Sequence, residues 1–251
     1  MIDTNLSPIE FQPIGQIHSC FKEKFGIPRQ PGLATTALAE LELISDYANM
    51  DAVRGLDQCS HIWVLFIFSE HLKRGWTPLV RPPRSQGGKR GVFATRATFR
   101  PNPIGMSVVK LERIEQRCGK PILHLSGIDI LDGTPVIDIK PYLPYADSLA
   151  EAHYAYASDG QKQNLRVQFN EPAQTSLSKH PAPAPFQQLI EDVLSCDPRP
   201  THRRKATDER IYGTQLECYN VRWKIDQETV QVIAIDDLTK PEHGRSPNRK
   251  P

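Results

Sequence analysis

The chain has 251 residues, 39% hydrophobic and 24% charged, a globular composition that suits one large or two small domains. Its 31 basic and 29 acidic side chains nearly cancel to a net charge of +2, so overall charge selects no class of partner. The longest apolar run, Ile62 to Phe68, is about a third of the roughly 20 residues that a bilayer-spanning helix needs, which excludes such a helix.

In chain order, the amino terminus MIDTNLSPIEFQPIG lacks both the basic start and the apolar stretch of a secretory signal, so a cytoplasmic location is expected. Ala39-Glu40-Leu41-Glu42-Leu43 then alternates with the period of a strand that buries one face. Ile62 to Phe68 reads as a short strand buried on both faces. Met106 to Ile114, Ile122 to Leu131 and Val136 to Lys140 are further strands rich in Val, Ile and Leu. Asp132-Gly133 suits the positive φ of a tight turn, so the last two are expected to form a hairpin whose tip exposes backbone amides and a carboxylate. Strict alternation would place Val136, Asp138 and Lys140 on one face of the last strand. Strands following one another without helical periods argue for an antiparallel sheet, closed into a barrel or folded into a sandwich.

After about residue 170 the composition changes. Pro172, Pro181, Pro183 and Pro185 punctuate a polar stretch that reads as a linker. Phe186, Leu189, Ile190, Val193 and Leu194 recur at helical spacing up to Asp197-Pro198. Tyr219, Val221, Trp223 and Ile225 alternate with polar residues, and Val230 to Ile235 is the partner strand. The expected division is a mainly β domain over residues 10–165, a small α+β domain over 185–238, and a disordered tail over 239–251.

The pieces that could carry chemistry are few. Five cysteines, Cys20, Cys59, Cys118, Cys196 and Cys218, include no close pair, so neither a zinc site nor a redox pair is indicated and no metal is expected. There is no G-x-G, hence no dinucleotide fingerprint, and Ser85 to Arg90 lacks the first glycine and the hydroxyl residue of a phosphate loop. From Lys73 to Arg100, eight basic residues occur with no Asp or Glu, the electrostatic footprint of a polyphosphate partner or simply a solvated loop. Pro28-Arg29-Gln30-Pro31-Gly32, Arg81-Pro82-Pro83-Arg84 and Arg100-Pro101-Asn102-Pro103-Ile104-Gly105 present guanidinium and amide groups on proline-stiffened backbone.

Three segments then carry a resemblance: Lys22 to Gly32, the GVFATRATFRPNPIGMS run from Gly91 to Ser107, and DILDGTPVIDIKPYLPYADS from Asp129 to Ser148. Over residues 10–150 the chain resembles the TsaA-like family, specifically the bacterial tRNA methyltransferases called TrmO, and Asp197-Pro198-Arg199-Pro200 with Asn220-Val221-Arg222-Trp223 resembles the carboxy-terminal domain of that family. The resemblance implies an antiparallel single-sheet β-barrel, a homodimer, and methyl transfer from S-adenosylmethionine to N6 of threonylcarbamoyladenosine beside the anticodon of a threonine tRNA. It also implies that the donor is held by Pro28, Arg29, Gln30, Ser69, Glu70, Arg96, Met106, and Asp132, Gly133, Thr134 and Pro135.

A donor with a sulfonium, an amino group, a carboxylate and an adenine needs both charge signs, which Arg29, Arg96, Glu70 and Asp132 supply. Methyl transfer is an in-line displacement helped chiefly by positioning, and the acceptor nitrogen must also lose a proton, for which Asp138 or Tyr142 is the candidate base. For Asp138 an ion pair with Lys140 is the equal alternative. Arg84, Lys89, Arg90, Arg199, Arg203, Arg204 and Arg222 are the candidate phosphate contacts, and Tyr142, Tyr145 and Phe99 the candidate stacking groups. Two other readings stand beside this one: a non-catalytic RNA-binding or dimerisation protein on the same barrel, and a methyltransferase of the same fold with another acceptor. Intact PRQ and DGTP segments weigh against the first, and the second module weighs against the other.

Overall fold

The computed structural model describes residues 7–82, 88–154, 165–200, 203–204 and 210–240. The chain divides into two compact units, Met1–Ser19 with Arg29–Gly160, and Cys20–Pro28 with Gln161–Pro251. The segment before the PRQ sequence thus belongs with the carboxy-terminal half, a division that local sequence patterns do not reveal.

The first unit is a closed barrel. Its strands are β1 (Gly15–Ser19), β2 (Leu38–Leu43), β3 (His61–Ile67), β6 (Ile104–Arg117), β7 (Lys120–Ser126) and β8 (Pro135–Pro141), and a short ladder of β4 (Leu79–Val80) with β5 (Arg90–Gly91) lies in the β3–β6 connection. The order around the barrel is β1-β2-β7-β6-β3-β8. Every pairing is antiparallel. Ile17, Leu41, Ile62, Val64, Val109, Leu123, Leu125 and Val136 are buried, one per alternate position along their strands. In β3 only Ile62, Val64 and Phe66 are buried, while Trp63 and Leu65 on the other face are half-buried. The expectation of a strand covered on both sides therefore fails, because a closed single sheet has an outside. Gly105 pairs with Phe66, whose ring fills the space a side chain there would need.

Three sequence expectations change here. Residues 122–131 do not form one strand: β7 ends at Ser126, and Gly127 takes φ +70°. The hairpin does not form either, since β7 pairs with β2 and β6 whereas β8 pairs with β1 and β3. Asp132-Gly133 does make a turn, with Gly133 at φ +77°, but inside a crossover between strands on different sides of the barrel. In β8, Val136 pairs with Phe66 and Asp138 with Leu65, so Ile137 is an extra, bulged residue. The bulge separates buried Val136 from Asp138 and Lys140, which take the outer face.

Strand directions decide which connections share an end. Because neighbours are antiparallel all the way round, β1, β3 and β7 finish where β2, β6 and β8 start. The β1–β2, β3–β6 and β7–β8 connections therefore gather at one end. The β2–β3 and β6–β7 connections lie at the other.

The second unit holds a sheet in the order β10 (Tyr212–Leu216), β11 (Tyr219–Asp226), β12 (Thr229–Asp237), β9 (Arg166–Phe169), with β9 parallel to β12. The expected helix is α3 (Pro183–Ser195), and its five predicted apolar residues are all buried. The expected linker is not one: α2 (Glu171–Leu177) occupies it, capped by Asn170 Oδ1 accepting from the Ala173 N–H at 2.9 Å, with Pro172 in its first turn. Proline at the start of a helix loses no hydrogen bond, so Pro172, Pro183 and Pro185 begin helices rather than prevent them. Trp223, fully buried, donates to Thr214 Oγ1 at 2.9 Å and stacks with Tyr212 and with Phe25 of the 20–28 segment. Phe21 bridges Leu216, and the Gln215 N–H donates to Glu23, which fixes that segment on this sheet. A small helix α1 (Pro144–Asp147) follows β8 in the first unit. The expected tail falls mostly on residues 241–251, outside the described residues.

Candidate active site

The end where β1, β3 and β7 finish carries most of the donor-binding candidates. Arg29 and Gln30 lie in the β1–β2 connection, Ser69, Glu70 and Arg96 in the β3–β6 connection, and Asp132 to Thr134 in the β7–β8 crossover, which runs into Pro135 at the start of β8. Antiparallel closure brings together segments separated by tens of residues. Pro28 is buried and belongs to the second unit.

Gln30 Oε1 accepts from Arg96 Nη1 at 2.7 Å, which joins two of the three connections by a side-chain bond between groups that are both exposed. Ser69 and Glu70 are exposed at the start of a 3-10 turn directly after β3. The Asp132 Oδ1 accepts the Ser19 N–H at 2.9 Å, so it terminates β1. The DGTP amides are not presented outward: the Gly133 N–H donates to Ile17 O at 2.8 Å and the Thr134 N–H to Leu131 O at 3.2 Å. What the crossover offers a ligand is its side chains and the exposed Gly133, not an amide nest.

The candidate set omits a carboxylate. Asp129 Oδ1 accepts from Ser107 Oγ at 2.6 Å, and Ser107 is buried on the inner face of β6. Burial pushes the Asp129 carboxyl up to about 6, against the opposing pull of the Ser107 hydrogen bond and the positive charge of Arg96. A serine among inward-facing apolar residues, in the alternation Gly105, Ser107, Val109, Leu111, was the available signal.

Met106 is half exposed on the outer face, and pairing through Leu65 sets it in one cross-strand row with Asp138. Asp138 forms the ion pair with Lys140, Oδ2 to Nζ 2.9 Å, and its Oδ1 accepts the Ile139 N–H. Tyr142 is elsewhere. Its N–H donates to His61 O at the start of β3, and its ring lies 6.0 Å from Trp63, at the opposite end of the barrel. Of the stacking candidates, Tyr145 is exposed and Phe99 makes an edge contact with His71.

Of the candidate phosphate contacts, Lys89 and Arg90 are exposed, and Arg84 lies outside the described residues. The second unit corrects two others. Arg199 is buried at 4% exposure, its Nε and Nη2 donating to both carboxylate oxygens of Asp197 at 2.9 and 3.0 Å. Arg204 Nε donates to the Arg199 carbonyl at 3.1 Å and its Nη2 to the Asp197 carbonyl. DPRP is thus a buried latch rather than a phosphate clamp, because its guanidinium is already matched by a fork of carboxylate oxygens. Arg222 pairs with Asp236 at 2.7 Å on the surface, and Arg203 is half-buried. Among the described residues, no His, Cys, Asp and Glu group of three or more could hold a metal ion, and no helix is long and apolar enough to cross a membrane.

Residues 16–148 match the family described as the tRNA-methyltransferase O N-terminal domain, and residues 162–238 match the TrmO C-terminal domain. The chain is 44% identical over 236 residues to the tRNA (adenine(37)-N6)-methyltransferase of Escherichia coli strain K12, covering 92% of this chain and 99% of that protein. It is 48% identical over 214 residues to RcsF of Pseudomonas aeruginosa, described as a candidate S-adenosylmethionine-dependent methyltransferase, covering 84% of this chain and 90% of that protein. A crystal structure of TrmO is similar at 41% identity with a TM-score of 0.77, covering 92% of this chain and all of that one.

Proposed function

The chain belongs to the tRNA-methyltransferase O family, and we propose on that premise that it methylates N6 of adenine 37 in tRNA with S-adenosylmethionine as donor. The finer reading is that the acceptor is threonylcarbamoyladenosine in a threonine tRNA, and that the enzyme works as a cytoplasmic homodimer. The observation that carries the reading is the gathering of three connections at one barrel end, two of them joined by the Gln30–Arg96 bond.

The residues suit the donor. Arg29 and Arg96 offer cationic groups for a carboxylate, Glu70 and Asp132 offer anionic groups for an ammonium, and exposed Met106 offers apolar, polarizable surface. Ser69, Gly133, Thr134 and Pro135 line the same end, and Pro28 leads into it along the chain. When bound, S-adenosylmethionine supplies an electrophilic methyl group. The protein's work is then to hold the acceptor nitrogen in line with it and to exclude competing geometries.

Asp138 is the proposed proton acceptor, since it shares a row with Met106 and its partner Lys140 is an exposed side chain that a substrate can displace. Tyr142 stands at the other barrel end, so the role passes to Asp138 alone. Lys89, Arg90, Arg84 and Arg203 are the proposed phosphate contacts, with Arg222 able to exchange Asp236 for phosphate.

Labelled methyl incorporation tests this reading, run on threonine tRNA bearing threonylcarbamoyladenosine and on the unmodified transcript. Label on the modified tRNA alone is expected. Absence of label on both, with donor and tRNA still bound, would leave a non-catalytic RNA-binding barrel or a different acceptor.

A further inference from the structure

The β3–β6 connection carries more than positive charge. Trp76 is 56% exposed and Phe93 is 74% exposed, large rings left in water on a loop whose own core is packed, with Val80 and Val92 buried. The backbone holds the two segments side by side: Leu79 pairs with Gly91, Val80 pairs with Arg90, and the Val92 N–H donates to Pro78 O at 2.9 Å. The Thr77 N–H donates to Phe99 O at 3.4 Å. Arg100 braces the turn, its Nη1 donating to the carbonyls of Val92 and Thr95 at 3.1 and 2.7 Å, with its guanidinium carbon 5.7 Å from the Phe93 ring centroid. The rings therefore sit on ordered backbone. Exposed Lys73, Arg74, Arg81, Lys89, Arg90 and Arg96 flank them along the chain, in a stretch of sequence without an acidic residue.

Exposed aromatic faces interleaved with cations match the chemistry of unpaired nucleotides, which present a base face for stacking and a phosphate for each cation. A paired helix keeps its base faces covered and would meet only the charges. A second copy of the chain is the weaker occupant, because a two-fold contact across this loop would set the basic run against itself.

We propose that Trp76 and Phe93 form a stacking platform for unpaired nucleotides of the tRNA substrate, held beside phosphate contacts from Lys89 and Arg90. The proposal rests on the tRNA methyltransferase reading and names where on the chain the loop nucleotides are gripped.

The full chain and its W76L, W76F, F93L and K89Q/R90Q variants are compared for binding to threonine tRNA and to a short unstructured oligoribonucleotide at several salt concentrations. W76L and F93L are each expected to weaken both ligands about tenfold, within the range of base stacking on an aromatic ring, without altering the salt slope. W76F should recover most of the loss, and K89Q/R90Q should flatten the salt slope instead. Trp63 donates to Asp147 and Trp223 is fully buried, so fluorescence quenching by the oligonucleotide should follow Trp76 and vanish in W76L. Wild-type affinity in W76L and F93L overturns the platform and leaves the methyltransferase reading intact. Loss of a dimer in W76L with tRNA affinity retained also overturns it and assigns the rings to a second copy. A wild type that binds neither ligand overturns both readings.

Discussion

Asp129 carries a carboxyl whose ionisation the fold opposes. Its carboxyl is held at about 6 rather than the ordinary 3.8, chiefly because burial disfavours the charged form. The folded protein binds this proton more tightly than the unfolded chain does. Stability contributed by the group is therefore fully present below about pH 4, is lost as pH rises toward about 6, and is flat above that. The displacement corresponds to about 3 kcal/mol of destabilisation at neutral pH. The substitution Asp129→Asn removes the charge and keeps an oxygen that can accept from Ser107 Oγ. It should stabilise the barrel by about 3 kcal/mol at pH 8, and by roughly half as much at pH 5, where the folded wild type is already mostly protonated. Urea unfolding followed by tryptophan fluorescence measures this, since Trp63 and Trp76 both stand in the barrel unit. A variant no more stable than wild type at pH 8, or an advantage that does not shrink at pH 5, would refute the reasoning.

Gly105→Ala would put a methyl group into the Phe66 ring across the β3–β6 pair, and overpacking of this kind should destabilise the barrel by about 1–3 kcal/mol in the same urea experiment. Arg199→Ala removes the forked partner of buried Asp197, leaves only Arg204 Nε 3.6 Å from its carboxylate, and should destabilise the second unit by about 2–3 kcal/mol by thermal unfolding. Its effect on tRNA affinity in cold buffer, where the unit stays folded, should be small beside that of K89Q/R90Q. Phe186→Ala removes a fully buried ring stacked 4.2 Å from His180, and about 3–5 kcal/mol of stability should go with it. Arg96→Gln breaks the bond to Gln30 and should weaken S-adenosylmethionine binding about tenfold by calorimetry, the size of one charge-assisted hydrogen bond, with thermal stability unchanged.

Local pattern was legible because it is written in adjacent residues. The alternation in Leu38–Leu43, the helical stripe of Phe186 to Leu194, and the strand pair around Trp223 all follow from period and propensity. The motifs that carried the family resemblance, PRQ, FRPNPIG and DGTP, were equally plain. The proline-rich stretch misled because a proline's effect depends on where in a helix it falls, and Asn170 as a cap was the cue that α2 starts there. The hairpin expectation failed for a related reason: Asp132-Gly133 does turn, but a turn does not determine which strands pair on either side of it.

Sequence alone was thus enough for the main barrel strands, for α3 and the strand pair around Trp223, and for the family to which the chain belongs. Only the tertiary structure decided the strand order, and with it which connections meet at one end of the barrel. It alone flipped Asp138 to the outer wall through one bulged residue, sent Tyr142 to the far end, turned Arg199 inward onto Asp197, and set Asp129 against Ser107. For all of these but the Arg199–Asp197 pair, whose members are two residues apart, the physical reason is the same. Periodicity and propensity are properties of neighbours along the chain, whereas register, closure and the pairing of charges are settled between residues that the chain keeps far apart until the sheet closes.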